Sequence, residues 1–297
     1  MNYPSHVRIV EVSPRDGLQN ESQVVDVDTK IALINGLVDS GLEHIEVTGF
    51  VSPKWIPQLA DSQEVVSRLP KQEFDRFSAL VPNLKGMERA VSLGLREVAV
   101  FTAASETFNQ KNINCSITES YKRFEPVMEM ARQQGIRVRG YVSCALGCPY
   151  EGDIAPEKVA EVTEELLNLG CYEISLGDTI GAGTPLKAQH MFEACLIKAP
   201  PEELAIHFHD TRGQALANIL ACMQLGAHVI DASVGGLGGC PYAKGASGNV
   251  ATEDVVYMLY GMGIETGVNL FKLVETGRMI TKALGRRSES KISNSLP

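Results

Sequence analysis

The sequence predicts an α/β protein, a closed (β/α)8 TIM barrel with an additional C-terminal helix. Three observations carry that expectation. Short β-rich runs alternate with amphipathic helical stretches about eight times along the 297 residues, the number a closed parallel barrel needs. The polar residues able to do chemistry fall where those runs end, and in such barrels these ends form the mouth. No glycine fingerprint follows the first run, as a doubly wound open sheet would more often show. Residues 1–285 read as one catalytic domain including the helical extension, and 286–297 as a polar tail expected to be mobile.

Taken in order, Val7 to Val12 is the first β-rich run, broken at Ser13-Pro14-Arg15-Asp16-Gly17. Asp28 is expected to cap a helix whose apolar face carries Ile31, Ile34 and Val38, with Gly41 ending it. His44 to Thr48 leads into the loop Gly49 to Pro53 and a helix through Val65 and Val66. Phe77 to Val81 precedes a helix ending near Gly94, and Glu97 to Thr102 opens a long loop from Ala103 to Cys115. Ser116-Ile117-Thr118-Glu119 then has the form of a capping box. In the second half, strands are expected at Arg137–Ser143, Tyr172–Leu176, Leu204–His209 and His228–Val234. Helices are expected near 156–169, 214–225, 249–261 and 270–284.

Composition narrows the function classes. Net charge is −9 and no basic block occurs, which argues against nucleic acid, since phosphate binding needs clustered Lys and Arg. No apolar run approaches the roughly 18 to 20 residues that span a bilayer. The strand-like start leaves no room for a targeting peptide, and seven cysteines without framework spacing read as free thiols. A cytoplasmic protein is expected.

The stretch Ala205-Ile206-His207-Phe208-His209 organises the chemistry. On a strand, His207 and His209 share one face while Ile206 and Phe208 share the other. Two imidazoles facing the barrel interior make half of a metal site. Reading the other strand ends adds Arg15, Asp16, Glu46, Asp178, Cys240 and Asn249 at the same mouth. Each alone has a plainer reading: Asp16 could make an Asx turn, Glu46 could pair with Arg15, and Asn249 could cap a helix. Together, a carboxylate, two imidazoles and an amide oxygen suit an octahedral divalent ion, Mg²⁺ or Mn²⁺, with Co²⁺ or Zn²⁺ able to substitute. Cys144 and Cys148 lack a partner pair and are expected to pack or shape a loop rather than bind zinc. Cys240 lies in a glycine-rich stretch, Gly235 to Gly245, and is expected to ride on a moving lid as a proton donor or acceptor.

These residues resemble the hydroxymethylglutaryl-CoA lyase family. The resemblance rests on Ser13–Glu21, Phe50–Trp55, Lys111–Ser116, Gly140–Pro149, the His-x-His strand and the cysteine loop from Gly235 to Gly248. The Arg15-Asp16 pair alone would indicate only the wider superfamily, which includes Claisen-condensing synthases and aldolases; the cysteine loop narrows it. The resemblance implies cleavage of 3-hydroxy-3-methylglutaryl-CoA to acetyl-CoA and acetoacetate. It puts the metal ligands on Asp16, His207, His209 and Asn249, and it implies a homodimer. It gives Arg15 the enolate oxygen, Cys240 the departing carbon and His207 the base, with Asp16 or a water held by Asp178 as alternatives; Glu46 would orient Arg15 or the metal shell. Arg212 stands where some relatives carry an aromatic residue and is expected to affect loop packing or the CoA end. Lys54, Lys111 and Lys244 could meet CoA phosphates, although solvated charge is the plainer reading of each. Other readings are a lyase for a longer C3-branched glutaryl-CoA, an acyl-CoA condensing synthase, and a non-catalytic metal or thiol sensor. The synthase reading is weakened because its relatives often carry a C-terminal regulatory domain for which this chain leaves no length.

Overall fold

Eight parallel strands close into a barrel in sequence order, β1 through β8, in a computed structural model that describes residues 3–239 and 248–297. The strands are β1 (Arg8–Glu11), β2 (His44–Gly49), β3 (Phe77–Leu80), β4 (Glu97–Ala103), β5 (Arg137–Ser143), β6 (Glu173–Asp178), β7 (Leu204–Phe208) and β8 (Val229–Ala232). Closure comes from β1 pairing with β8, with Val10 opposite Asp231. Helices α1 (Val27–Asp39), α2 (Ser62–Arg68), α3 (Leu84–Leu93), α4 (Glu106–Ile113), α5 (Ile117–Gln134), α6 (Pro156–Leu169), α7 (Pro185–Leu196), α8 (Ala215–Met223) and α9 (Thr252–Gly261) follow the strands, and α10 (Leu270–Ala283) is the extra C-terminal helix.

Strand alternation divides the buried residues into two sets. Ile206 and Phe208 of β7 belong to the large apolar layer between sheet and helices, with Leu37, Phe192, Ile219 and Val255. The opposite faces of β1, β7 and β8 meet inside the barrel, where Val10, Val12, Ala205 and Val229 form a small apolar plug. A parallel sheet covered on both faces explains why β3, β6, β7 and β8 are buried at every position.

Local chemistry departs from the sequence reading at three places. The N-cap of α1 is Asp26, whose side chain accepts the N–H of Thr29, and Asp28 lies in the first turn; both are Asp, and the first one satisfies the backbone. The stretch 103–115, expected as loop, contains α4, which starts where Ser105 Oγ accepts the N–H of Phe108. Residues 286–297, expected as a mobile polar tail, contain a helix the sequence reading did not place. A short helix α11 (Lys291–Ser295) is fixed by Asp254, which accepts from Ser290 Oγ and the N–H groups of Lys291 and Ile292. Arg278 donates to the carbonyls of Ser293, Leu296 and Pro297. The polarity that suggested solvation is taken up in these bonds. The capping box at Ser116 and Glu119 is present.

Candidate metal centre at the barrel mouth

The turn after β1 presents the first functional pair. Ser13–Gly17 is a five-residue π-type turn in which the Gly17 N–H reaches the Val12 carbonyl at 3.1 Å. Such wide turns recur at functional sites. Glu11 anchors this one: its Oε1 accepts the N–H groups of Ser13 (3.0 Å) and Val234 (2.9 Å), and its Oε2 accepts the Thr252 hydroxyl at 2.6 Å. A single buried carboxylate thereby ties the Arg15-Asp16 turn to the base of the Gly235 loop and to the start of α9.

Arg15 lies between two acids. Its Nε donates to Glu46 Oε2 at 2.5 Å and its Nη1 to Asp16 Oδ1 at 2.7 Å. Burial alone would lower the guanidinium's pKa, but Glu46 and Asp16 more than reverse this and hold it charged. The guanidinium also lies over the Tyr141 ring, 5.5 Å from its centre. Glu46 is thus the buried ion-pair partner of Arg15.

Asp16, His207 and His209 each bring one possible ligand atom within 4.8 Å of the others. Burial opposes ionisation of Asp16, yet Arg15, His207, His209 and Asn249 outweigh it and bring the carboxyl down to about 2. Burial and the neighbouring His207 push His209 down to about 4, so its imidazole is neutral and able to ligate at neutral pH. Asn249 stands beside His209 through an isolated bridge, and its Nδ2 donates to Asp16 Oδ2 at 2.8 Å and to the Leu237 carbonyl at 3.2 Å. With the amide N–H groups so used, Asn249 Oδ1 is buried without a partner, as is His209 Nδ1. Leaving such atoms unsatisfied costs about 1–3 kcal/mol each, so a cation at this point would repair a deficit the fold otherwise carries. The donor set therefore fits a divalent ion.

Asp178 ends β6. Its two carboxylate oxygens accept the N–H groups of Ala182 (2.9 Å) and Gly183 (2.8 Å), and burial raises its pKa. Both oxygens thereby shape the β6–α7 loop. Arg212 closes the same loop by donating to the Ile180 and Gly181 carbonyls, a packing role. Lys111 Nζ stands 4.8 Å above the Tyr150 ring, and Lys54 is exposed. Cys144 and Cys148 are buried in a small cluster with Ala103 and Phe108. Cys240 and Lys244 lie outside the described residues.

The sequence reading missed Asp231. On β8, opposite His207 of β7, it receives His207 Nδ1 at 3.2 Å, Ser175 Oγ at 2.7 Å and a bidentate pair from Arg139 at 2.7 and 2.9 Å. Counting alternate positions along β8 from Val229 would have placed Asp231 on the inner face.

A closed parallel barrel whose mouth gathers a carboxylate, two imidazoles and an amide oxygen beside a carboxylate-held arginine defines an enzyme of the TIM-barrel class with a metal-type centre. Residues 6–280 match the HMGL-like family. A bovine protein described as mitochondrial hydroxymethylglutaryl-CoA lyase is 58% identical over 98% of this chain and 90% of its own length. The crystal structure of the Pseudomonas aeruginosa hydroxymethylglutaryl-CoA lyase superposes with a TM-score of 0.97 at 56% identity, covering 99% of this chain and 98% of that one. An Acinetobacter baumannii HMG-CoA lyase in complex with coenzyme A and 3-methylmalate gives 0.94 at 39% identity, covering 99% and 96%. The chain belongs to the HMGL-like family, that of the hydroxymethylglutaryl-CoA lyases.

Proposed function

We propose that this protein is a carbon–carbon lyase that cleaves 3-hydroxy-3-methylglutaryl-CoA to acetyl-CoA and acetoacetate. The observation that carries the reading is the convergence of Asp16, His207, His209 and Asn249 beside Arg15, within a chain 58% identical over nearly its whole length to a hydroxymethylglutaryl-CoA lyase. The four residues would hold a divalent ion, and their mixed nitrogen and oxygen donors favour Mg²⁺ or Mn²⁺. Such an ion would supply Lewis-acid chemistry, lowering the pKa of the substrate's C3 hydroxyl.

The remaining work falls to side chains. The base for the hydroxyl proton is His207 by the family resemblance, with Asp16 or a water held by Asp178 as the alternatives; His207 serves only while its Nε2 is off the ion, because its Nδ1 faces the Asp231 carboxylate. The C2–C3 bond breaks, its electron pair passes to the thioester as an enolate, and C3 becomes the ketone of acetoacetate. Arg15, held charged by Glu46, stabilises the enolate oxygen. Cys240 delivers the proton that turns C2 into the methyl group of acetyl-CoA. A cytoplasmic site of action and a homodimeric assembly belong to the same reading; the described cysteines are all free thiols, and no described helix is long and apolar enough to cross a membrane.

The test is product analysis with 3-hydroxy-3-methylglutaryl-CoA and analogues differing at C3, before and after chelation. Acetyl-CoA and acetoacetate should form, cease after metal removal, and return with Mg²⁺ or Mn²⁺. Cleavage that survives exhaustive chelation would remove the metal from the reading, and cleavage of a longer-branched analogue alone would change the substrate.

A further inference from the structure

We infer that Asp231 is a positioning residue for His207, fixing which imidazole nitrogen faces the reacting centre. The inference rests on the metal-centre reading above and adds a residue to it. Inside the barrel, inward-facing side chains of five neighbouring strands, β5 through β8 and β1, form one continuous polar chain. Arg8 donates to Glu173 Oε2, Arg139 Nε donates to Glu173 Oε1 at 2.7 Å, and Arg139 Nη1 and Nη2 grip Asp231 at 2.9 and 2.7 Å. Arg139 Nη1 also reaches the Tyr141 hydroxyl at 3.1 Å. Arg139 and Asp231 are 2% and 1% exposed, so the pair is shielded from water and from salt.

The identity of the partners dictates the direction of the last bond. Asp231 faces a guanidinium and the Ser175 hydroxyl, both donors, so its carboxylate is ionised and can only accept. The proton between Asp231 Oδ2 and His207 Nδ1, 3.2 Å apart, therefore belongs to the imidazole. With Nδ1 protonated, the lone pair is left on Nε2, and Nε2 is the atom that points toward Asp16 Oδ2, 3.8 Å away. Tyr141 restrains the ring from another side, edge-on with centres 6.0 Å apart at 81°. A ligand histidine backed by a carboxylate is oriented and made more basic by it. Glu173 and Arg139 supply that carboxylate with a fixed rear support reaching toward the N-terminal end of the barrel. The companion imidazole, His209, has no such carboxylate at its buried Nδ1.

The experiment uses the metal-free wild-type protein with ¹⁵N-labelled histidine, the His207 signals being assigned by their loss in His207→Gln. Long-range nitrogen–proton couplings should report the Nδ1-protonated tautomer for His207. In Asp231→Asn the amide can present its N–H₂ to the ring, as an asparagine does when it replaces the carboxylate of a catalytic triad and imposes the wrong tautomer. The His207 signals should then move to the Nε2-protonated form, and Mn²⁺ affinity measured by titration calorimetry should fall about 10- to 100-fold. Ser175→Ala, which removes one neutral donor from Asp231, should weaken Mn²⁺ less and keep the wild-type tautomer. An Nε2-protonated His207 in the wild type overturns the inference without any variant having to fold. So does Mn²⁺ binding by a folded Asp231→Asn at wild-type strength. Absence of Mn²⁺ binding by the wild type would instead sink the metal-centre reading, while the tautomer measurement would still decide the role of Asp231.

Discussion

Arg15 Nε donates to Glu46 Oε2 at 2.5 Å, joining the turn after β1 to the adjacent strand β2 inside the barrel. Since Arg15 also holds Asp16, the residue proposed to meet the enolate is positioned by the same network that holds a proposed metal ligand. Arg15→Gln should lower kcat by at least ~10²-fold with a smaller change in KM, the usual scale for one lost oxyanion donor. Glu46→Gln keeps an acceptor for Arg15 but removes the charge, so its kcat should lie between wild type and Arg15→Gln. Steady-state kinetics separate these cases, and an effect on KM alone would make Arg15 a binding residue.

Asn249 would offer an ion one uncharged oxygen, and its amide N–H donates to Asp16. Asn249→Ala removes both, so Mn²⁺ affinity should fall at least ~10-fold on the scale of lost ligand support, while the circular dichroism spectrum stays unchanged. Unaltered affinity would take Asn249 out of the ion's surroundings.

What the sequence made legible was what it writes locally. His207 and His209 two apart on a strand, and Arg15 next to Asp16 after one, announce themselves by spacing. Asp231 does not, because a lone acid in an otherwise apolar strand shows its meaning only when β7, β5 and β6 bring His207, Arg139 and Ser175 to it. Glu11 was hidden similarly: it looks like the polar end of a strand, yet it joins segments 223 and 241 residues away. Helix α4 escaped notice because its sequence is mostly polar and only Phe108 and Asn109 are buried. The helix in the tail was not legible because the partners of Ser290 and Ser293, Asp254 and Glu253, lie on α9 rather than within the tail.

Glu253 gives a pH dependence to stability. Burial, reinforced by the nearby Glu11, raises its carboxyl to about 8 from the model-peptide region near 4.5, against the opposing bonds from Gly235 and Ser293. The folded state then binds more protons than the unfolded state between those values, and stability falls as pH rises through the window. The contribution is fully present below about pH 4.5 and gone above about pH 8. Glu253→Gln cannot ionise, so melting temperatures taken at pH 5, 6.5 and 8 should show wild type losing ground to the variant as pH rises. A constant difference across that range would mean that Glu253 is ionised throughout.

Gly238 tests the connection between the glycine-rich loop and the metal centre. Its φ of +131° disfavours any side chain, and an added Cβ would come 2.8 Å from Asn249 Nδ2 and 3.3 Å from the Asn249 backbone nitrogen. The nearer atom is the one that donates to Asp16, so Gly238→Ala must displace the amide from its place beside the carboxylate. Gly135 is the matched control: φ is +65° and nothing lies within 4 Å of its added Cβ, so Gly135→Ala carries backbone strain alone. Both variants should melt lower than wild type, by about 1–2 kcal/mol of strain for the left-handed residue. Only Gly238→Ala should also lose Mn²⁺ affinity, approaching the loss in Asn249→Ala, because the two changes act on the same amide. If Gly238→Ala binds Mn²⁺ as tightly as Gly135→Ala does, the loop base and the ligand set are mechanically independent, and the glycine at 238 serves backbone conformation alone.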